Sequence, residues 1–223
     1  MYKLYHHPAC PFSRKVRIIL NEVKAKHTLH EVKFWVANDE LVKLNPAGNV
    51  PILVDKNYHV IYGNYAINEY LMEEYPMFSL QNKSVVEKTD YRMAMDWCEN
   101  VFFTEVTKPI FEEKILNFLD RSSSPPDSGK IRQANRNLVK HIDYLQALLG
   151  DDYYLFDHKL TLADIVFASQ ISILDYVDSF NWKQSKEVKM WYSLVKSRPS
   201  FQNILQDRIA NLNPPKHYSD PDF

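Results

Sequence analysis

Near Pro76 this 223-residue chain changes its periodicity, and that change restricts the folds open to it. Before Pro76, alternating runs and helical runs follow one another. Tyr2-Lys3-Leu4-Tyr5-His6 alternates and carries aromatics, the pattern of a short strand. Val16, Ile19, Leu20 and Val23 then fall at helical spacing, so a helix is expected from about Pro11. Residues 28–34 alternate again, completing a βαβ unit. A polar connection holding Trp35 leads to Ile52-Leu53-Val54, and Asp55-Lys56-Asn57 turns that strand into the run 58–62 as a hairpin. Asn64 suits the N-cap of a helix whose apolar face is Ala66, Ile67, Tyr70 and Leu71, and Pro76 stops it. After a connection over 77–87, only helical spacing remains. Trp97, Val101, Phe102, Ile110, Ile115 and Leu119 mark one long helix with a kink expected at Pro109. Residues 120–129 have loop composition, and Ile131 to Leu149 mark another helix. Thr161-Leu162-Ala163-Asp164 resembles a capping box opening an apolar core helix, and two short helices are expected near 188–197 and 200–208. The expected organisation is an α/β domain over 1–76, a linker over 77–87, and an all-α domain over 88–223 with an extended tail from about 212.

The stretch with most chemical content is His6-His7-Pro8-Ala9-Cys10-Pro11-Phe12-Ser13-Arg14-Lys15-Val16-Arg17. Pro11 fits the first helical position, where its missing N–H would have had no partner. Cys10 then sits at a strand-to-helix turn beside a partial positive charge, which favours the thiolate. The free N–H groups there can also hold an anionic ligand. Arg14, Lys15 and Arg17 are expected to point mostly to solvent. A buried structural cysteine beside a proline-started helix is an equally consistent reading of the same residues.

Several function classes are excluded. With 27 basic and 28 acidic residues the net charge is −1, so there is no electrostatic footprint for nucleic acid or an anionic membrane. The two cysteines, Cys10 and Cys98, lie far apart, a usage that suits a reducing cytoplasm. No signal peptide pattern and no apolar run of about 18 residues is present. The eight histidines show no metal-site spacing, so no metal is expected.

The helix-start Cys10, the turn Asn45-Pro46-Ala47-Gly48-Asn49-Val50-Pro51-Ile52-Leu53, the polar opening before Ala66-Ile67 and the Thr161–Asp164 box resemble, in that order, the glutathione S-transferase fold. The resemblance covers essentially the whole chain. It implies a thioredoxin-like N-terminal domain packed on a helical bundle, a cleft between them, and a homodimer. It also implies that Cys10 is the nucleophile and that Ser13 stands where a redox pair has its second cysteine. The glutathione contacts implied are Phe12, Asn49, Val50, a cis Pro51, Gly63 and Asn64. Cys10 would then form a mixed disulfide with glutathione from a small disulfide. Alternatively, Cys10 or Ser13 would hydrogen-bond the glutathione sulfur and favour its attack on a small electrophile. Family members place an acidic residue and a serine where this chain has Gly63-Asn64. Losing that charged partner for the glutamyl ammonium costs roughly 1.5–3 kcal/mol, about 10- to 150-fold in affinity.

A narrower resemblance rests on His6 to Arg17, Trp35, Lys196-Ser197-Arg198-Pro199-Ser200-Phe201 and the tail Pro214-Pro215-Lys216-His217-Tyr218-Ser219-Asp220-Pro221-Asp222-Phe223. It points to a bacterial branch that includes FzlA-type factors, which bind the tubulin-like division protein FtsZ. That branch implies a non-catalytic alternative, with Trp35, Tyr218, Asp222 and Phe223 as partner-binding residues and FtsZ as the partner. An ordinary solvated terminus is the competing reading of the tail. Trp97, Phe102, Phe103 and Phe111 read as core or interface, Cys98 and Asp164 as structural, and Glu112-Glu113 as a solvated helix face.

Overall fold

The computed structural model describes residues 1–120, 125–209 and 211–220. β1 (Tyr2–His6) pairs in parallel with β2 (His27–Glu31) and antiparallel with β3 (Ile52–Val54), which pairs antiparallel with β4 (Val60–Tyr62). The resulting order, β2-β1-β3-β4, is the mixed four-stranded sheet expected from the sequence. The connection from β1 to β2 runs through α1 (Pro11–Glu22), with Pro11 at its first position. Asp55 closes the β3–β4 turn by accepting from the N–H groups of Asn57 and His59, both at 2.8 Å, and these bonds hold its carboxyl below the usual range. α3 (Asn64–Glu74) follows, and a single turn of 3₁₀-helix (Pro76–Phe78) leads out of the sheet domain.

Between β2 and β3 the structure has one element the sequence reading did not contain. The polar stretch after Trp35 folds in part as α2 (Asp39–Leu44), whose N-cap, Asn38, accepts from Leu41 N at 3.0 Å. Six residues with one buried apolar side chain leave no periodicity to read.

The linker is not a loose strand of chain, because Phe78 and Leu80 are buried in the main core. A capping box between Ser84 and Glu87 starts α4 (Val85–Asp96). α4 runs on through π-helical stretches at Trp97–Thr107 and Glu112–Leu116, with α-helical segments at Lys108–Phe111 and Asn117–Asp120. Pro109, where a kink was expected, lies in the α-helical segment between the two π-helical stretches. Proline cannot donate to the carbonyl four residues back, and that carbonyl, on Glu105, accepts instead from Asn137 Nδ2 at 3.1 Å. Asn137 belongs to α5 (Ser128–Leu149), so the proline ties two helices together.

α6 (Leu162–Tyr176) is buried along its whole length and opens with the expected Thr161–Asp164 capping box. Asp164 also accepts from Leu155 N at 2.8 Å and Trp191 Nε1 at 2.7 Å, while burial raises its pKa to about 6. α7 (Lys186–Lys196) and α8 (Pro199–Leu205) complete the bundle. α1 packs on α6 and α8, and one apolar core runs through both domains.

Two expectations about solvent are corrected by this packing. Arg14, Lys15 and Arg17 are buried, because the face of α1 away from the sheet lies on the helical domain. Lys15 Nζ donates to Glu99 Oε1, and Arg17 forms a two-pronged bond with Asp207 at 2.6 and 2.9 Å. Glu113 is likewise buried rather than solvated, bonded to Lys130 Nζ at 2.8 Å and to Asp127 N at 2.9 Å. The loop expected over 120–129 falls partly outside the described residues.

Candidate functional site

Cys10 caps α1 from an extended backbone, as the strand–proline–helix pattern requires, but its side chain makes no cap bond. The thiol instead donates to the Val50 carbonyl across 3.7 Å. Cys10 is only 4 % exposed and belongs to a small apolar cluster with Val32, Leu41, Val50 and Ile52, against which Phe12 and Phe34 pack. Burial therefore pushes the thiol pKa up, and hydrogen bonding from Ser13 and the Phe12 amide only partly offsets it. The expected helix end is present, but the sulfur at it is sealed from water. Of the two readings the sequence left open, this packing supports the buried cysteine over the stabilised thiolate.

Ser13 is fully buried as well, and its Oγ accepts from His7 N at 3.4 Å. The same loop is closed by Cys10 N to His7 O at 3.0 Å and Ala9 N to His7 Nδ1 at 3.1 Å. His7 stays neutral, its pKa lowered to about 4 by burial and then by the Arg14 charge. Its 3.7 Å approach to the exposed Glu31 is accordingly not an ion pair near neutral pH. His6 is lowered further, to about 3, by burial and the Arg17 charge.

The Val50–Pro51 bond is cis, as expected. The turn before it is held by Asn45, the residue that opens the expected Asn-Pro turn and to which the sequence reading gave no site role. Asn45 Nδ2 donates to Asn49 Oδ1 at 2.7 Å and to Asn49 O at 3.0 Å, while its Oδ1 accepts from Ala47 N. An Asn-Pro pair opening a Gly-containing turn was the available signal. Gly63 has φ +86°, a conformation that side-chain-bearing residues rarely adopt, so an acidic residue is disfavoured there on backbone grounds alone. Asn64 begins α3 and faces a cavity between α3 and α4.

Glutathione fits this arrangement poorly. At the sulfur end the Cys10 thiol and the Val50 carbonyl already satisfy each other within an apolar cluster. At the glutamyl end no side chain at position 63 can meet an ammonium group.

Trp35 lies elsewhere, edge-on to His7 with ring centroids 4.8 Å apart. It lines an open groove of ≈ 880 Å³ together with Lys33, Val36, Phe118 and Arg208. Val36 and Phe118 are exposed, and Glu31 and Asp120 line the groove as well, so it combines apolar surface with charges of both signs. Tyr218, the second residue expected to meet a partner, is instead fully buried. Residues Lys216–Ser219 form a 3₁₀ turn, and Tyr218 OH accepts from Arg14 Nη1 at 2.9 Å and donates to Ile204 O at 3.2 Å. Asp222 and Phe223 lie outside the described residues. Cys98 is buried with its thiol pushed well up, in line with a structural role.

The sheet, the cis Pro51 turn and the helical bundle define one class. The family model of the glutathione S-transferase N-terminal domain matches residues 9–74, and that of the C-terminal domain matches residues 110–208. The chain belongs to the glutathione S-transferase family. Among its relatives is FtsZ-localized protein A of Caulobacter vibrioides, 34% identical over 223 residues, covering 99% of this chain and 97% of the relative. The solved structure of FzlA from C. crescentus is similar, with a TM-score of 0.93 and 33% identity over 100% of this chain and 99% of that one. A glutathione S-transferase from Rhodospirillum rubrum F11 has a TM-score of 0.92 and 38% identity, with both chains fully covered.

Proposed function

We propose that this chain is a non-catalytic binding protein that associates with FtsZ in the cytoplasm, as a homodimer, through the Trp35 groove and the end of the C-terminal tail. The observation that carries this reading is the Cys10–Val50 contact. The sulfur and the carbonyl that glutathione-dependent chemistry would use are bonded to each other and withdrawn from water. Burial stabilises the neutral thiol, so the nucleophilic form is scarce near neutral pH. No catalytic role for Cys10 or Ser13 is therefore retained.

The relative named FtsZ-localized protein A supports the choice of partner. The groove supplies the kind of surface that docking needs: an aromatic anchor, exposed apolar neighbours, and charges of both signs from Lys33, Arg208, Glu31 and Asp120. Tyr218 contributes differently from the expectation, by fixing the tail so that the residues beyond Ser219 start from a defined point. Asp222 and Phe223 are assigned to partner contact.

Co-sedimentation with polymerised cognate FtsZ tests the reading. The wild-type protein is expected in the pellet, and Trp35→Ala is expected to weaken the association about tenfold or more. Titration with millimolar glutathione is expected to give no saturable heat. A protein that stays in the supernatant while binding glutathione would overturn the proposal.

A further inference from the structure

β2 lies at an edge of the sheet, with β1 on one side and no strand among the described residues on the other. Its parallel ladder to β1 is unbroken from Tyr2–His27 to His6–Glu31. The ladder also runs past both ends of the strand, with Tyr2 N donating to Lys26 O at 3.0 Å and Val32 N to His6 O at 2.9 Å. In such a ladder the N–H and C=O of one residue point to the same side, and those of the next residue point to the other. Lys26, Thr28, His30 and Val32 therefore turn their backbone groups to β1, and His27, Leu29 and Glu31 turn theirs outward. Those outward groups have no hydrogen-bond partner among the described residues. Thr28 to Glu31 are exposed, so the edge is uncovered.

Sheet edges are commonly blunted by proline, a bulge or a covering element, and β2 has none of these. The remaining device, charge, is present and mostly of one sign. Lys24, Lys26 and Lys33 flank the strand, exposed and without a salt bridge among the described residues, against one carboxylate, that of Glu31. Two copies of this edge would repel, whereas an acidic strand would be attracted. Leu29, 45 % exposed, shares a sheet face with its register partner Leu4 and offers an apolar contact. The edge also leads into the Trp35 groove, because Glu31, the last residue of β2, lines that groove together with Lys33 and Trp35. A chain paired along β2 and continuing past Glu31 enters it.

We propose that an extended, acidic segment of the protein partner adds to the sheet along β2 and runs on into the Trp35 groove. Main-chain bonds to His27, Leu29 and Glu31 hold the segment, the flanking lysines select its carboxylates, and Leu29 and Trp35 receive its apolar side chains. The inference rests on the reading of the Trp35 groove as the surface that meets FtsZ, and adds how the partner's backbone and charge are recognised there.

Residue-resolved amide hydrogen exchange of the full-length protein, with and without polymerised cognate FtsZ, tests it. In the free protein the amides of His27, Leu29 and Glu31 are expected to exchange fast and those of Thr28, His30 and Val32 slowly. With FtsZ the first three are expected to slow about tenfold or more, because each gains a main-chain bond. Lys24→Glu combined with Lys26→Glu, at exposed positions outside the groove lining, is expected to weaken co-sedimentation about tenfold. Wild-type protein that does not pellet with FtsZ would overturn the reading of the groove and this inference with it. Association that depends on Trp35 but leaves the three outward amides unprotected, or is unchanged by the two charge reversals, would overturn strand addition alone. Slow exchange of those amides in the free protein would show the edge already paired and overturn it as well.

Discussion

Cys10 and Val50 close on one another: the thiol at the start of α1 donates to the carbonyl beside the cis Pro51, 3.7 Å away. Two segments 40 residues apart are thereby joined. The contact is shielded by Phe12, Val32 and Leu41, so it acts as a piece of core. Cys10 is accordingly expected to react slowly with iodoacetamide at neutral pH, with the rate still rising above the ordinary thiol range near pH 9. Cys10→Ala is expected to lower stability by about 1–2 kcal/mol through lost packing and a lost weak hydrogen bond. Alkylation rates across pH and urea unfolding check both outcomes.

The buried pair Lys15–Glu99 spans the two domains. Removing one charge leaves the other without a partner in the interior, so Lys15→Met is expected to cost about 3–5 kcal/mol. Lys15→Met combined with Glu99→Leu is expected to recover much of that loss, because no buried charge then remains. Thermal unfolding of the two variants distinguishes them.

Acid sensitivity should arise from His6 and His7. Both have folded-state pKa values below the ordinary value of 6.5, at about 3 and about 4, with burial the main cause. The unfolded chain therefore binds more protons than the folded one between those limits. Their contribution to stability is complete above about pH 6.5 and is lost as pH falls toward 4 and then 3. His6→Phe is expected to flatten the stability profile over that window, as read by urea unfolding at a series of pH values.

Tyr218 pins the tail to the interior through Arg14 and Ile204 O, and burial holds its hydroxyl pKa up at about 12. Arg14 also donates to Pro8 O at 2.7 Å and to Ser172, while its Nη2 is buried with no hydrogen-bond partner among the described residues. Tyr218→Phe keeps the ring but removes the hydroxyl from this network. A loss of about 1–3 kcal/mol is expected, measurable by chemical denaturation with FtsZ association tested in parallel.

Much of the fold was legible because it rests on local rules. Pro11 after an alternating run announced the β1–α1 turn, Val50-Pro51 the cis bond, and Thr161–Asp164 the start of α6. What escaped reading depended on distant segments meeting. Arg14, Lys15 and Arg17 look like a solvated helix face, and nothing nearby in sequence says that Glu99, Asp207 and Ser172 lie against them. Cys10 sits at an open-looking turn, and the residues that cover it come from β2's exit, α2 and the Pro51 turn. Tyr218 belongs to a tail without periodicity, and its burial follows from single contacts rather than from any repeating pattern. Local signals brought Cys10 to the start of α1 and Val50 to the Pro51 turn; the closing of one on the other was a property of packing.

The central claim is the proposal that association runs through the Trp35 groove and not through thiol chemistry at Cys10. Co-sedimentation of Cys10→Ala and Trp35→Ala, side by side with polymerised cognate FtsZ, tests it most directly. The account predicts that Cys10→Ala pellets with FtsZ as the wild-type protein does, whereas Trp35→Ala stays largely in the supernatant. Loss of association in a folded Cys10→Ala variant, with Trp35→Ala unaffected, would contradict it.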